Sequence, residues 1–145
     1  MVVALLFLVD ATGTHGLIAD TKDIGTGGWY IGAVAITTGA TAKRIGAGKS
    51  NTRKIVLALG NTSRYAVLLC SEYNGEGYKD WFLPSKKELH ALYKKQAVVG
   101  GFFGARHWSS SEVDASNAWY QFFSSGEQFI VPKEWAAHIR PIRAF

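Results

Sequence analysis

A single cysteine, Cys70, leaves this chain no partner for an intramolecular disulfide and no Cys-x-x-Cys pair for metal or redox chemistry. It follows the apolar run from Tyr65 to Leu69, where a thiol behaves as a small hydrophobe, and so leaves the compartment open. Charge is scarce too: 19% of residues are charged against 48% hydrophobic and 13% aromatic, a balance that excludes a disordered chain. The opening run from Met1 to Val9 is too short to span a bilayer. It also lacks the basic start and small-residue cleavage site of a signal peptide, so it is read as a buried strand, with room for a leader removed earlier. The net charge of +5 is not gathered into a patch. Its only dense run, Lys86, Lys87, Lys94 and Lys95, falls on one predicted helix and reads as a solvated face, so no nucleic-acid partner is expected.

What is present fits one domain over residues 1–145, long enough to bury about 68–70% of its unfolded surface in a single core. Asp10 to Thr14 separates the first strand from Gly16-Leu17-Ile18-Ala19 and predicts an N-terminal hairpin. The Gly/Thr-rich stretch from Thr21 to Gly48 has little periodicity and predicts an irregular packed region. Ser50 or Asn51 suits the cap of a helix ending at Gly60. Thr62 or Ser63 suits the cap of a second, running through Tyr73 with Ala66, Leu69, Cys70 and Tyr73 on its core face. A third opens at Pro84-Ser85, where Ser85 and Glu88 form a capping box and Leu89, Leu92 and Tyr93 give the apolar face.

Beyond Gly100-Gly101 the period changes to two. Trp119, Gln121 and Phe123 share one face of a strand, Tyr120 and Phe122 the other. Ser124-Ser125-Gly126 turns into a strand from Gln128 to Val131, Pro132 ends it, and Ile139 to Phe145 supplies the last strand. Trp108 and Trp119 are expected to be buried.

Two constellations lack an essential part. Gly46-Ala47-Gly48-Lys49-Ser50 imitates a phosphate-binding loop, but Lys43 stands where its first glycine belongs. His15, His90, His107 and His138 have no zinc spacing, so a metal site would need His107 and His138 to converge near Glu112 or Asp114; none is expected. Asn61-Thr62-Ser63 satisfies the glycosylation pattern and is equally well explained as a helix cap.

The ordered set Gly77-Tyr78-Lys79-Asp80-Trp81-Phe82-Leu83-Pro84-Ser85, His107-Trp108-Ser109-Ser110-Ser111-Glu112, Asn117-Ala118-Trp119 and Ile139-Arg140-Pro141-Ile142-Arg143 resembles the C-terminal domain of collagen-like bacterial adhesins. That domain is a C-type lectin fold, also used by the variable proteins of diversity-generating retroelements. The resemblance implies an α+β C-type lectin fold with paired terminal strands and helices packed outside. It implies a scaffold over about residues 1–104, a ligand-binding segment over about 105–138 and a closing strand at 139–145. It implies no enzyme and no cofactor, but a surface-displayed module for a macromolecular ligand, a protein or else a carbohydrate, without membrane insertion. Scaffold positions by this likeness include Trp81, Trp108, Glu112, Trp119, Phe123, Lys133, Arg140 and Arg143. The ligand-binding positions are Arg106, His107, Val113, Asp114, Ala115, Tyr120, Phe122, Glu127, Phe129, Ile130, Val131, Glu134, Trp135, Ala136 and His138. Tyrosine and tryptophan at such positions offer rigid contact area, and His, Glu and Asp offer directional contacts. For Phe122, Phe129 and Trp135 an ordinary core role is the alternative. Arg140 and Arg143 are expected to be structural, with Glu112 as partner of one of them. The Glu-Pro-Asn and Trp-Asn-Asp motifs of calcium-dependent lectins are absent from the sequence, and one cysteine cannot serve the chemistry of the related sulfatase-modifying enzymes.

Overall fold

Two sheets divide the strands, and the first and last strands of the described residues lie in the smaller one. The computed structural model describes residues 4–145; within the expected first strand, Met1 to Val3 lie outside the described residues. β1 (Ala4–Val9) and β2 (Gly16–Asp20) form the expected hairpin, and β8 (Ile142–Ala144) pairs antiparallel with β2. The larger sheet runs β3-β7-β4-β5-β6, with β3 at Gly25–Gly27, β4 at Arg106–Glu112, β5 at Asn117–Phe122, β6 at Gln128–Pro132 and β7 at Ala137–Ile139. With its helices this is an α+β fold. The expected final strand, 139–145, is therefore two strands in different sheets, broken at Arg140-Pro141; proline has no N–H to continue a ladder.

The helices start where packing dictates. α1 (Gly48–Leu59) begins before Ser50, its first turn closed by Asn51 N–H donating to Ala47 O, while the Asn51 amide donates to Ala42 O at 2.7 Å. Gly60 ends it at φ 71°, the left-handed conformation expected of a glycine there. α2 (Ala66–Glu72) starts after Tyr65, without a cap from Thr62 or Ser63. α3 (Lys86–Lys94) has the predicted capping box, and a short α4 (Gln96–Val99) follows it. Glu88 does more than cap: its carboxylate also accepts N–H bonds from Gly46 (2.9 Å) and Gly48 (3.1 Å). The loop that imitates a phosphate cradle is thus filled by the protein's own anion.

Two apolar clusters result. One gathers Trp29, Ile55, Tyr65, Leu83, Trp108, Tyr120 and Ile139 beneath the larger sheet; the other gathers Phe7, Leu17, Leu89, Leu92, Phe102, Phe123 and Ile142 between the smaller sheet and α3. Indole N–H groups pin the first to the irregular stretch: Trp29 donates to Ser109 O and Trp108 to Gly27 O, both at 2.8 Å. Trp108 is fully buried. Trp119 is only half-buried, because its face of β5 lies under α3, where the Lys86 ammonium sits 3.8 Å from the ring centre. Chemical denaturation should therefore separate the two tryptophans. Trp108→Ala should lose about 3–5 kcal/mol, and Trp119→Ala well under half of that.

Candidate functional site

Strand alternation and register decide which residues reach the surface. Arg106 pairs with Phe122, Trp108 with Tyr120 and Tyr120 with Phe129, so these side chains share one face of the sheet. Toward Glu112 and Ala118 that face is covered by the core. Toward Arg106 it emerges into solvent, with Phe122 against Phe129 edge-on (5.5 Å between ring centres) and the Arg106 guanidinium 5.9 Å from the Phe122 ring. A hollow of about 300 Å³ opens beside them, lined by Arg106, Phe122, Ala136, His138, Thr26 and Gly104. The turn Glu134-Trp135-Ala136 separates it from a second hollow of about 300 Å³ that includes Ala115, Glu134, Tyr30, Ile31 and Val34. Trp135 stands exposed on that turn. The structure thus groups Arg106, Phe122, Phe129, Ala136 and His138 on one side of the turn and Ala115 and Glu134 on the other. Asp114 is exposed at the β4–β5 turn, where it accepts bonds from Ser116 and Asn117. Val113 is half-buried in the same turn, and Glu127 is exposed in the β5–β6 turn.

Four expected surface positions lie elsewhere. Tyr120 is buried against Trp108, because it sits one register pair further into the covered part of the face than Phe122. Val131, opposite Ala118, is buried in the same cluster. His107 is fully buried because alternation turns it away from Arg106, against Phe102 and Phe123. Ile130 is exposed but pairs with Trp119, which puts it on the α3 face, opposite Phe129.

Two buried ionic clusters fix the backbone under this rim. Glu112, which was expected to pair with an arginine, instead binds Lys133 Nζ at 2.7 Å and accepts bonds from the Thr38 and Gly39 amides. Lys133 also donates to Ile36 O and lies 4.5 Å from the Trp29 ring centre. Arg140 donates to Asp23 (2.8 Å) and to the carbonyls of Asp20, Gly100 and Gly101, each at 2.9 Å. Asp23 also holds His107 Nε2 at 2.9 Å and His138 Nδ1 at 3.2 Å, while His107 Nδ1 meets Ala105 O at 3.0 Å. The two histidines converge, 5.4 Å between ring centres, on Asp23 and not on Glu112 or Asp114. Among the described residues no group of three or more His, Cys, Asp and Glu side chains is placed to hold a metal ion. Arg143 binds Asp80, so both arginines are engaged in structural pairs.

Sequence reasoning missed Phe103 and the apolar contribution of the irregular stretch. Phe103 is 97% exposed at φ 54°, in a loop bracketed by Gly100, Gly101 and Gly104. A non-glycine residue in that conformation is costly and clusters at functional sites. The glycine bracket around paired phenylalanines was the available signal. Ile31 and Val34, 62% and 70% exposed, come from a segment whose lack of period hid its placement.

Burial pushes Asp23 up, but the His107 hydrogen bond and the charges of His107 and Arg140 outweigh it and hold the carboxyl below its usual 3.8. A lowered folded value gives stability that is complete well above 3.8 and fades as pH falls through the folded value. The stability difference between the native chain and Asp23→Asn, followed by urea unfolding from pH 6 to about pH 2, should be largest at pH 6 and shrink below the usual aspartate range.

The profile of the family described as Lcl C-terminal domain matches residues 37–143, well over half of the chain and all of the rim's strands β4 to β7. No match to a curated protein was found.

Proposed function

From its place in the Lcl C-terminal domain family, to which the chain belongs, we propose that it is a non-enzymatic, adhesin-like ligand-binding domain whose rim around Trp135 is a diversified recognition surface of a retroelement variable protein. The observation that carries this is the separation between rim and support. Arg106, Phe122, Phe129, Glu134, Trp135 and Ala136 are exposed or half-exposed. The strands that hold them are fixed from behind by Glu112–Lys133 and Asp23–Arg140, in which none of these six side chains takes part; His138 alone of the grouped residues reaches Asp23. A surface built this way accepts replacement most readily at Glu134, Trp135 and Ala136, which are exposed on a turn, whereas Phe122 and Phe129 rest against the buried Tyr120 ring. Rigid aromatics, one guanidinium and one carboxylate are the residue types that bind proteins through small patches. The function is recognition without chemistry, of a macromolecular ligand, with display on a cell or virion surface. No helix among the described residues is long and apolar enough to cross a membrane.

A fixed-specificity adhesin or carbohydrate-binding domain is the second reading, favoured by exposed Trp135 beside Glu134, a stacking surface next to a hydrogen-bond acceptor.

Two experiments test the first reading. A displayed library randomised at Arg106, Phe122, Glu134 and Trp135 should remain folded in most members, since surface changes usually stay within about 0.5 kcal/mol each. A library randomised at Trp108, Glu112, Lys133 and Arg140 should collapse, because unpairing a buried charge costs about 3–5 kcal/mol. The genomic neighbourhood should hold a reverse transcriptase and a template repeat differing from the coding segment for about residues 105–138 only at adenines. A rim library that unfolds as readily as the support library defeats the surface assignment. A genome without the repeat leaves the fixed-specificity reading.

A further inference from the structure

Away from the rim, two hollows adjoin on the side of β1 that faces α3. One, about 480 Å³, is walled by Leu8, Val9, Leu17, Ile45 and Phe145; Asp10 and His15 also line it and pair with one another at 3.2 Å. The other, about 510 Å³, has Phe7, Leu8, Ile45 and Ala91 among its apolar residues and Lys86, Lys87, Lys94 and Lys95 among its polar ones. Leu8 and Ile45 belong to both, so the two form one trough. Each lies within the roughly 300–1,000 Å³ typical of small-molecule sites. Val9, Ile45 and Phe145 are each nearly half exposed, at 48%, 46% and 46%. Clustered apolar exposure of this kind marks a contact surface more often than scattered single residues do.

The lysines are arranged by the helix. Spacing of four puts Lys86, His90 and Lys94 in one row and Lys87, Ala91 and Lys95 in the next. Among the described residues, the only lysine that joins an ion pair is Lys133, in the turn after β6 and outside the trough. The one carboxylate on this helix, Glu88, is buried and accepts from the amides of Gly46, Gly48 and Ser85. Burial, then the charges of Lys43 and Lys87, lowers the Lys86 ammonium; burial, then Lys94 and Lys86, lowers His90. The field along α3 is positive; the carboxylate side chain that lines the trough, Asp10, belongs to the other hollow and faces His15.

A lysine rim alone suits any anion, and an apolar hollow alone suits any hydrophobe. Their continuity through Leu8 and Ile45 selects a ligand with both properties. We propose that this trough binds a single-chain anionic amphiphile taken up as a monomer, with its acyl chain along Val9, Ile45 and Phe145 and its anionic head on the lysines of α3. The site shares no residue with the recognition rim, so each reading stands or falls without the other.

Dodecanoate, below the concentration at which it forms micelles, is the probe, titrated calorimetrically into the full chain. Saturable one-to-one binding is expected, weakening by up to about fourfold for each methylene removed from the chain. Ile45→Ser and the double variant Lys87→Glu/Lys94→Glu should each weaken it at least about tenfold, one through the tail and one through the head. A variant with Arg106→Ser and Trp135→Ser should bind as the native chain does. If a trough variant fails to fold, dodecyltrimethylammonium decides on the native chain: it has the same tail and the opposite charge, and should not bind. Equal binding of that cation would overturn the proposal, as would equal binding of acetate or phosphate, which would mark a bare anion site. Two other outcomes overturn it: binding to phosphatidylglycerol vesicles but not to monomers, which would mark a membrane-facing patch, and capture of acidic peptides without dodecanoate binding.

Discussion

The guanidinium of Arg140 is the point to which both sheets are referred. It stands at the break between β7 and β8, where the chain leaves the five-stranded sheet for the three-stranded one. Its nitrogens reach Asp23 before β3, the end of β2 through Asp20 O, and the glycine loop through Gly100 O and Gly101 O. The Phe102 ring covers it at 3.9 Å. A lysine would supply a single point charge where the planar fork satisfies four acceptors at fixed angles. Because Asp23 also receives His107 from β4 and His138 from β7, neighbouring strands of the large sheet share one carboxylate. The geometry of the exposed rim follows from that buried junction.

The second fixed point, Glu112 with Lys133, works at the other end of β4. A buried pair of this kind is weak evidence for added stability, since desolvation offsets most of the attraction. Its use here is positional. Glu112 gathers the Thr38 and Gly39 amides, and Lys133 gathers Ile36 O, so an irregular loop without a sheet partner is held beside the turn that carries Glu134 and Trp135. Recognition surfaces gain from such support because the side chains meet a ligand without first paying to order their backbone.

What could be read from the sequence was whatever depends on local rules. The capping box of Ser85 and Glu88, the left-handed Gly60, the hairpin at Asp10 and the pairing of Tyr120 with Phe122 on one face are all decided within a few residues. The misplacements came from tertiary context. Tyr120 and Phe122 do share a face, yet the core stops between them, and no local pattern marks where it stops. Alternation turns His107 away from buried Trp108, and it is Phe102 and Phe123 of the second cluster, outside that pattern, that bury it on the opposite face. Arg140, Glu112 and Lys133 each take a partner tens of residues away, Asp23, Thr38 and Ile36, in a Gly/Thr-rich stretch whose lack of period conceals β3 and the Asp23 junction. A strand of three residues flanked by glycines, Gly25–Gly27, carries too little periodicity to be seen in isolation.

Glu88 sits where a phosphate would sit in a nucleotide-binding loop. A side chain added at Gly48 would collide with that carboxylate, so the glycine pattern serves an internal guest and not an external one. The guest is tethered to α3 while the loop belongs to α1, and the pair therefore behaves as a permanently occupied receptor whose ligand is the neighbouring helix. Occupancy by a covalently attached anion has no dissociation constant to be challenged by free phosphate or nucleotide. The two helices are held together without drawing on free phosphate or nucleotide.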